Sequence, residues 1–267
     1  MGFGGCYLPL ATCNSFMEFE NKVILITGAG SGIGRAAALL YAQHGGTIVV
    51  SDLNPDSGTE TVDMIRAAGG RAMFVPCNVA VFEDVQKLIA TAVEEHGKID
   101  VAVNNAGIGG ASWHKTAEHT LEDWDNIIAV NQTGVFYCMK LELQQMTGQG
   151  FGSIINIASI AGLRGLPNNS AYVASKHAVV GMTKTAAMEY AKRNIRVNAV
   201  CPVFTVTNLF DPDKIPVEGL GDKLRSAIPM KRWAKVEEMA ESILWLSSDK
   251  ASFITGHSLS VDGGITA

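Results

Sequence analysis

Apolar, largely β-branched runs alternate along the chain with segments whose apolar residues recur at helical spacing. KVILIT (22–27), TIVVSD (47–52), RAMFVP (71–76), IDVAVNN (99–105), SIINIAS (153–159), IRVNAVC (195–201) and HSLSVD (257–262) predict seven strands. SGIGRAAALLYAQHGG reads as a helix that ends at Gly45-Gly46, and further helices are predicted over 56–68, 83–96, about 121–146, 170–192 and 235–248. Strands that are apolar on both sides belong in a parallel sheet covered on both faces. Strict β–α alternation then predicts a doubly wound α/β domain with a mainly parallel seven-stranded sheet and helices on both faces.

Two stretches depart from this rhythm. Phe204 to Trp233 is long, irregular and rich in Pro, Asp and Gly, the composition of a functional loop near the carboxyl ends of the strands. Residues 1–16, MGFGGCYLPLATCNSF, match neither a signal peptide nor the pattern that follows Met17. They are set apart as an upstream extension or an expression remnant. The organisation expected is therefore an extension over 1–16 and a single domain over 17–267. Within that domain the cofactor half covers about 17–160 and the catalytic and substrate half about 152–267.

Composition narrows the function classes. Of 267 residues, 47% are apolar, which supplies a large core, and the net charge of −5 with no basic block argues against a nucleic-acid partner. No apolar run reaches the ~18 residues of a membrane span. The five cysteines form no metal or CxxC spacing, and the six histidines show no ligand spacing, so no metal is expected. A disulfide framework is not expected in a chain of this size, which indicates a reducing, cytoplasmic compartment.

TGAGSGIG (27–34) leaves the first strand and opens a helix. Gly28, Gly32 and Gly34 are spaced for a tight turn that lets a diphosphate approach the backbone, with the N–H groups of the helix terminus facing it. A glycine pattern alone is weak evidence. Here Asp52 ends the next strand about 20 residues on, where a carboxylate accepts hydrogen bonds from an adenosine ribose, and the combination points to a dinucleotide. Further along, Tyr172 and Lys176 stand four positions apart in a helical stretch, one turn and about 6 Å along the axis. A phenol is protonated at neutral pH, and a cation within ~4–6 Å lowers its pKa by one to three units, so Lys176 is expected to draw Tyr172 toward neutral. A group tuned in this way can give or take the proton that accompanies hydride transfer.

These motifs together give the resemblance. TGAGSGIG (27–34), NNAG (104–107), Asn131 in VNQTG, Ser159 in INIAS, Tyr172-x-x-x-Lys176, AVCP (199–202) and TGHSLSVDGG (255–264) follow in the order and at the distances of a short-chain dehydrogenase/reductase, over Lys22 to Thr266. The resemblance implies a Rossmann-like fold, a nicotinamide cofactor, hydride transfer between an alcohol and a carbonyl, and a homotetramer. It implies Tyr172 as acid and base, Ser159 holding the substrate oxygen, Lys176 on the nicotinamide ribose, and Asn131 holding a water in a relay to Lys176. The cofactor would lie along Gly28, Ser31, Gly32, Ile33, Gly34, Asp52, Leu53, Asn78, Val79, Asn105, Ala106 and Gly107. Its nicotinamide end would meet Tyr172, Lys176, Pro202, Val203, Thr205 and Thr207. Substrate would meet Ile108, Ala161 and Asn169, and Phe204, Leu209 and Phe210 of the irregular loop could close over an apolar molecule.

Three positions depart from the family pattern: Asn78 where Asp is usual, Val203 where Gly is usual, and Thr205 where Val or Ile is common. The reading that follows is an NAD-dependent dehydrogenase of a small to medium secondary alcohol, or reductase of its ketone. Four alternatives stay open. They are an NADPH-dependent 3-oxoacyl carrier-protein reductase, a sugar dehydrogenase of glucose or gluconate type, a hydroxysteroid dehydrogenase, and a non-catalytic NAD(H)-sensing protein. The first of these often carries Arg where Ser31 stands. The last would need only the cofactor half, whereas Asn131, Ser159, Tyr172 and Lys176 are all present.

Overall fold

A computed structural model describes residues 18–109, 114–214 and 219–267. The extension 1–16 lies outside the described residues. Seven parallel strands form one sheet in the order β3-β2-β1-β4-β5-β6-β7. They are β1 Val23–Thr27, β2 Thr47–Asp52, β3 Arg71–Pro76, β4 Val101–Asn104, β5 Gly152–Ile157, β6 Ile195–Pro202 and β7 Ser258–Val261. All seven predicted strands are present, and the sheet is wholly parallel. The helices are α1 Gly32–Gln43, α2 Pro55–Ala67, α3 Phe82–His96, α4 Leu121–Ile128, α5 Val135–Gln149, α6 Ser170–Tyr190, α7 Leu220–Ala227 and α8 Val236–Ser247.

The central strands are buried on both faces, as their continuous apolar runs require. One core layer packs α3, α5 and α6 against the sheet, through residues such as Leu25, Leu88, Met146 and Val179. The other packs α1, α2 and α8 through Ile24, Tyr41, Ile65 and Ile243. Burying roughly twenty large side chains on each side, at about 1.5–3 kcal/mol each, is what fixes the sheet as a platform. No helix among the described residues is long and apolar enough to cross a membrane.

Two elements differ from the sequence reading. The single helix expected over 121–146 is broken by a π-helical turn, Ala129–Gly134, between α4 and α5. The turn carries Asn131, which bonds the Ile108 backbone beyond the end of β4, and such turns occur at functional sites. In the segment read as irregular, α7 forms from LGDKLRSA, an amphipathic stretch shorter than the periodicity window.

The strand order changes direction between β1 and β4, and the carboxyl ends of these strands frame a crevice. Thr27 ties the two ends together: its Oγ1 accepts from the N–H groups of Asn105 and Ala106, at 3.1 and 3.2 Å. Beneath the crevice a polar network crosses the core. Asn104 donates to Glu142 and to Asn156, each at 2.9 Å, and Asn156 donates to Thr183 at 2.9 Å.

Glu142 is fully buried, and burial pushes its carboxyl up from 4.5 to about 7, with the Asn104 bond acting the other way. Its second oxygen has no hydrogen-bond partner among the described residues. The folded protein therefore holds a proton between those values that the unfolded chain releases, and stability falls as pH rises from 4.5 through about 7. Glu142→Gln removes this slope. Relative to wild type it should gain on the order of 2–3 kcal/mol more at pH 8 than at pH 5. Denaturant titrations at the two pH values check this, and an equal effect at both would contradict it.

Candidate active site

The glycine loop between β1 and α1 approaches β4 closely. Gly28 has φ +63°, and a Cβ there would lie 2.8 Å from Ala106 Cα. A Cβ on Gly34 would collide with the Gly28 carbonyl. Asn105 locks this contact by donating from Nδ2 to the carbonyls of Thr27 and Gly28, at 3.0 and 2.9 Å. Ser31 caps the position before α1 without using its side chain, so the helix N-terminus faces the crevice.

At the end of β2 the Asp52 carboxylate is held rigidly. One oxygen accepts from Gly30 N–H at 2.8 Å and the other from Asn54 N–H at 2.9 Å. Gly28, Ser31, Gly32, Ile33, Asp52, Leu53, Asn78, Val79, Asn105, Ala106, Gly107 and Thr207 all line this half of the cleft, as expected. Gly34 is structural and does not line it. Asn78 accepts from Ala80 N–H at 3.1 Å, and its backbone N–H donates to Asp84 at 3.0 Å, so the amide in place of the usual acid is accommodated. Cys77, Val130 and Asn208 also line the cleft and were missed; they carry no motif. Ile108, expected against substrate, lines this half of the cleft, held there by the Asn131 amide.

The adjoining cavity lies over the ends of β5 and β6. Ser159 stands at the end of β5, with its Oγ accepting from Ala161 N–H at 3.1 Å, which leaves its O–H to donate. Ala161, also expected in the substrate pocket, is buried in that turn and serves only as this donor. Tyr172 and Lys176 project from the first turns of α6 into the same cavity. The Lys176 ammonium is buried, donates to Ile157 O at 2.8 Å and sits 5.6 Å from the centre of the Tyr172 ring.

Burial lowers Lys176 from 10.5 to about 8. Burial also raises the Tyr172 phenol above its usual value, with the hydrogen bond to Ser159 working the other way. The expected descent of Tyr172 toward neutral is thus corrected: desolvation outweighs the hydrogen bond to Ser159, and the Lys176 ammonium lies over the ring, 5.6 Å from its centre.

Asn131 is fully buried behind the cavity wall. Its amide clamps the Ile108 backbone, accepting from the N–H and donating to the carbonyl, both at 2.8 Å. Its side chain therefore positions the chain after β4. Pro202 at the end of β6 and Val203, Thr205 and Thr207 beyond it run along the cavity. Val203 packs on Ile160, Ile228 and Met239 and has no left-handed backbone, so the position needs no glycine here. Phe204, Leu209, Phe210 and Asn169 line the cavity as expected, and Ile160 and Leu166 join them. Phe204, Phe210 and Trp233 form an aromatic triangle with ring centres 5.1–6.0 Å apart. Among the described residues no His, Cys, Asp and Glu cluster could hold a metal, and His177 is exposed and bonds the Val173 carbonyl.

The chain's similarities agree with this geometry. The profile of the Enoyl-(Acyl carrier protein) reductase family matches residues 28–266. Cyclohexanol dehydrogenase of Acinetobacter sp. (strain SE19) is 44% identical over 250 residues, covering 94% of this chain and 97% of the relative. The 3beta-hydroxysteroid dehydrogenase of Mediterraneibacter gnavus is 40% identical, over 100% of this chain and 99% of its own. The crystal structure of levodione reductase superimposes with a TM-score of 0.88 at 32% identity, over 92% of this chain and 98% of that one.

Proposed function

Since this chain belongs to the short-chain dehydrogenase/reductase family, we propose that it interconverts a secondary alcohol and its ketone with NAD(H), using Tyr172 as general acid and base. The observation that carries this reading is the convergence of Ser159, Tyr172 and Lys176 on one cavity that is continuous with the glycine loop and Asp52.

The residues fit a nicotinamide dinucleotide: the Gly28–Gly34 turn and the α1 N-terminus for its diphosphate, Asp52 for the adenosine ribose, and Lys176 for the other ribose. Bound there, the nicotinamide supplies the donor or acceptor of hydride. The chain supplies the rest. Ser159 Oγ–H donates to the substrate oxygen and stabilises charge on it. Tyr172 Oη takes the hydroxyl proton in oxidation and returns it to the carbonyl oxygen in reduction. Lys176 faces Tyr172 as a cation within a dry site, where it favours the phenolate. Asn131 keeps Ile108 and its neighbours in place beside them.

NAD is preferred to NADP in this reading because, among the described residues, no cation pairs with Asp52 or is free to meet a phosphate there. Arg35, the nearest guanidinium on α1, is held by Glu60, by Thr61 at 3.0 Å and by the Gly30 carbonyl. Leu53 is 69% exposed at the cleft and offers no charge. The same feature counts against the carrier-protein reductase that uses NADPH. That enzyme, sugar dehydrogenases and hydroxysteroid dehydrogenases are the rivals to this reading, and the relatives of this chain include a 3beta-hydroxysteroid dehydrogenase. A homotetramer in a cytoplasmic compartment completes the reading. Its support is the family resemblance and the free, buried thiols of Cys77, Cys138 and Cys201.

The test follows NADH absorbance while NAD is offered with a panel of alicyclic alcohols, sugars, hydroxyacyl thioesters and hydroxysteroids. Turnover of at least one secondary alcohol is expected, and binding of NAD without turnover of any would favour a sensing protein. Lys176→Ala should weaken NAD binding by about tenfold as well as lowering kcat, since the ammonium has two partners. NADH fluorescence titration beside steady-state kinetics separates the two effects, and a loss confined to kcat would contradict the ribose contact.

A further inference from the structure

Asn169 precedes α6 at its N-cap, three residues before Tyr172. Asparagine is among the strongest N-cap residues, and a capping side chain contributes about 1 kcal/mol. Here the side chain makes no cap bond, although Asn54 before α2 caps in the ordinary way with two. Asn168, just before it, is in the left-handed region at φ +64°, and Asn169 lines the cavity. Its amide has no hydrogen-bond partner among the described residues.

The other polar side chains lining that cavity are engaged. Asn105 bonds the glycine loop, Thr205 bonds the Val203 carbonyl, Thr207 accepts from Leu209 and Phe210, and Lys176 bonds Ile157. Ser159 and Tyr172 are committed to the reacting oxygen. Asn169 is thus the polar side chain left over, facing a wall of Ile160, Leu166, Phe204 and Phe210. A sugar would bury several hydroxyls against this wall without partners, at about 1–3 kcal/mol each. A carboxylate would meet no cation there, because Lys176 at the reacting end is the lining ammonium among the described residues.

Resting on the oxidoreductase reading above, we infer that the substrate is a compact, uncharged alicyclic secondary alcohol or its ketone that carries a second oxygen, and that Asn169 is the specificity residue that hydrogen-bonds this oxygen. Phe204 and Phe210, packed on each other with ring centres 5.1 Å apart and tilted by 37° and backed by Trp233, give the cavity a rigid apolar wall that suits a ring better than a flexible chain.

The experiment compares cyclohexanol, the 1,2- and 1,4-cyclohexanediols and 4-hydroxycyclohexanecarboxylate in wild type and Asn169→Ala. It reads kcat/KM with NAD, and calorimetric affinity of the same alcohols for the protein with NADH, a pair that holds no hydride acceptor and cannot turn over. In wild type the best diol should exceed cyclohexanol by about tenfold and the carboxylate should fall below it. Asn169→Ala should reduce the diol-to-cyclohexanol ratio by about tenfold in both measurements, with the thermal midpoint unchanged because no cap is lost. A ratio that the substitution leaves alone, or a carboxylate favoured over cyclohexanol, would overturn the inference. Absence of turnover with every alcohol would instead count against the oxidoreductase reading, and the affinity ratio would still decide the role of Asn169.

Discussion

Tyr172→Phe should lower kcat by about 10²- to 10⁴-fold in either direction while NAD affinity changes by less than about threefold. The substitution removes one oxygen at the cavity floor and keeps the ring beside Lys176. The hydroxyl has a task in proton transfer and none in holding the dinucleotide, so the effect should separate in this way. The sign of the pH dependence follows from the site. Burial raises the phenol, so the phenolate that oxidation needs is gained as pH rises, and kcat/KM for the alcohol should climb on the alkaline side. Ketone reduction needs the protonated phenol and should fall over the same range. The residual rate of Tyr172→Phe should lack both slopes. Retention of more than a few per cent of wild-type kcat at saturating substrate would remove Tyr172 from the mechanism.

NAD should exceed NADP in kcat/KM by at least about 100-fold, roughly 3 kcal/mol. A 2′-phosphate would bring about two negative charges toward a carboxylate already fixed by two backbone N–H groups. It would also remove the ribose hydroxyl that Asp52 accepts from. Arg35 is tied to Glu60 and cannot swing to meet the phosphate without breaking that pair. Asp52→Ala should erode the preference, and adding Leu53→Arg at the exposed neighbouring position should erode it further. Steady-state kinetics with both cofactors measures each step. Equal or better use of NADP by the unaltered protein would refute the role of Asp52 and restore the carrier-protein reductase as the leading alternative.

The central strands were legible because a doubly covered parallel sheet writes itself as continuous apolar runs, as in Val23–Thr27, whereas the half-buried edge strands Arg71–Pro76 and Ser258–Val261 were legible from their place in the β–α alternation. The glycine loop and Asp52 were legible because their chemistry depends on spacing along the chain. What depends on the third dimension was not. The π-helical turn at Ala129–Gly134 has the composition of an ordinary helix, and the helix Leu220–Ala227 is too short to show a period. That Ile108 lines the glycine-loop half of the cleft and Ala161 is buried was not legible, because a single residue after a strand end faces either way until the turn is known. Glu142 drew no attention in the sequence, since a carboxylate within a helix is normally solvated. The pKa of Tyr172 went the other way because spacing gives the distance to a lysine and says nothing of how deeply both are buried.

The central claim is that this fold transfers hydride between an alcohol carbon and NAD with Tyr172 handling the proton. The most direct measurement uses a secondary alcohol deuterated at the carbinol carbon, drawn from those the protein turns over, and mass spectrometry of the reduced cofactor. Full transfer of one deuterium to NADH is expected, with formation of the labelled product cut by about 10²-fold or more in Tyr172→Phe. Unlabelled NADH, or labelled NADH formed at an undiminished rate by Tyr172→Phe, would contradict it.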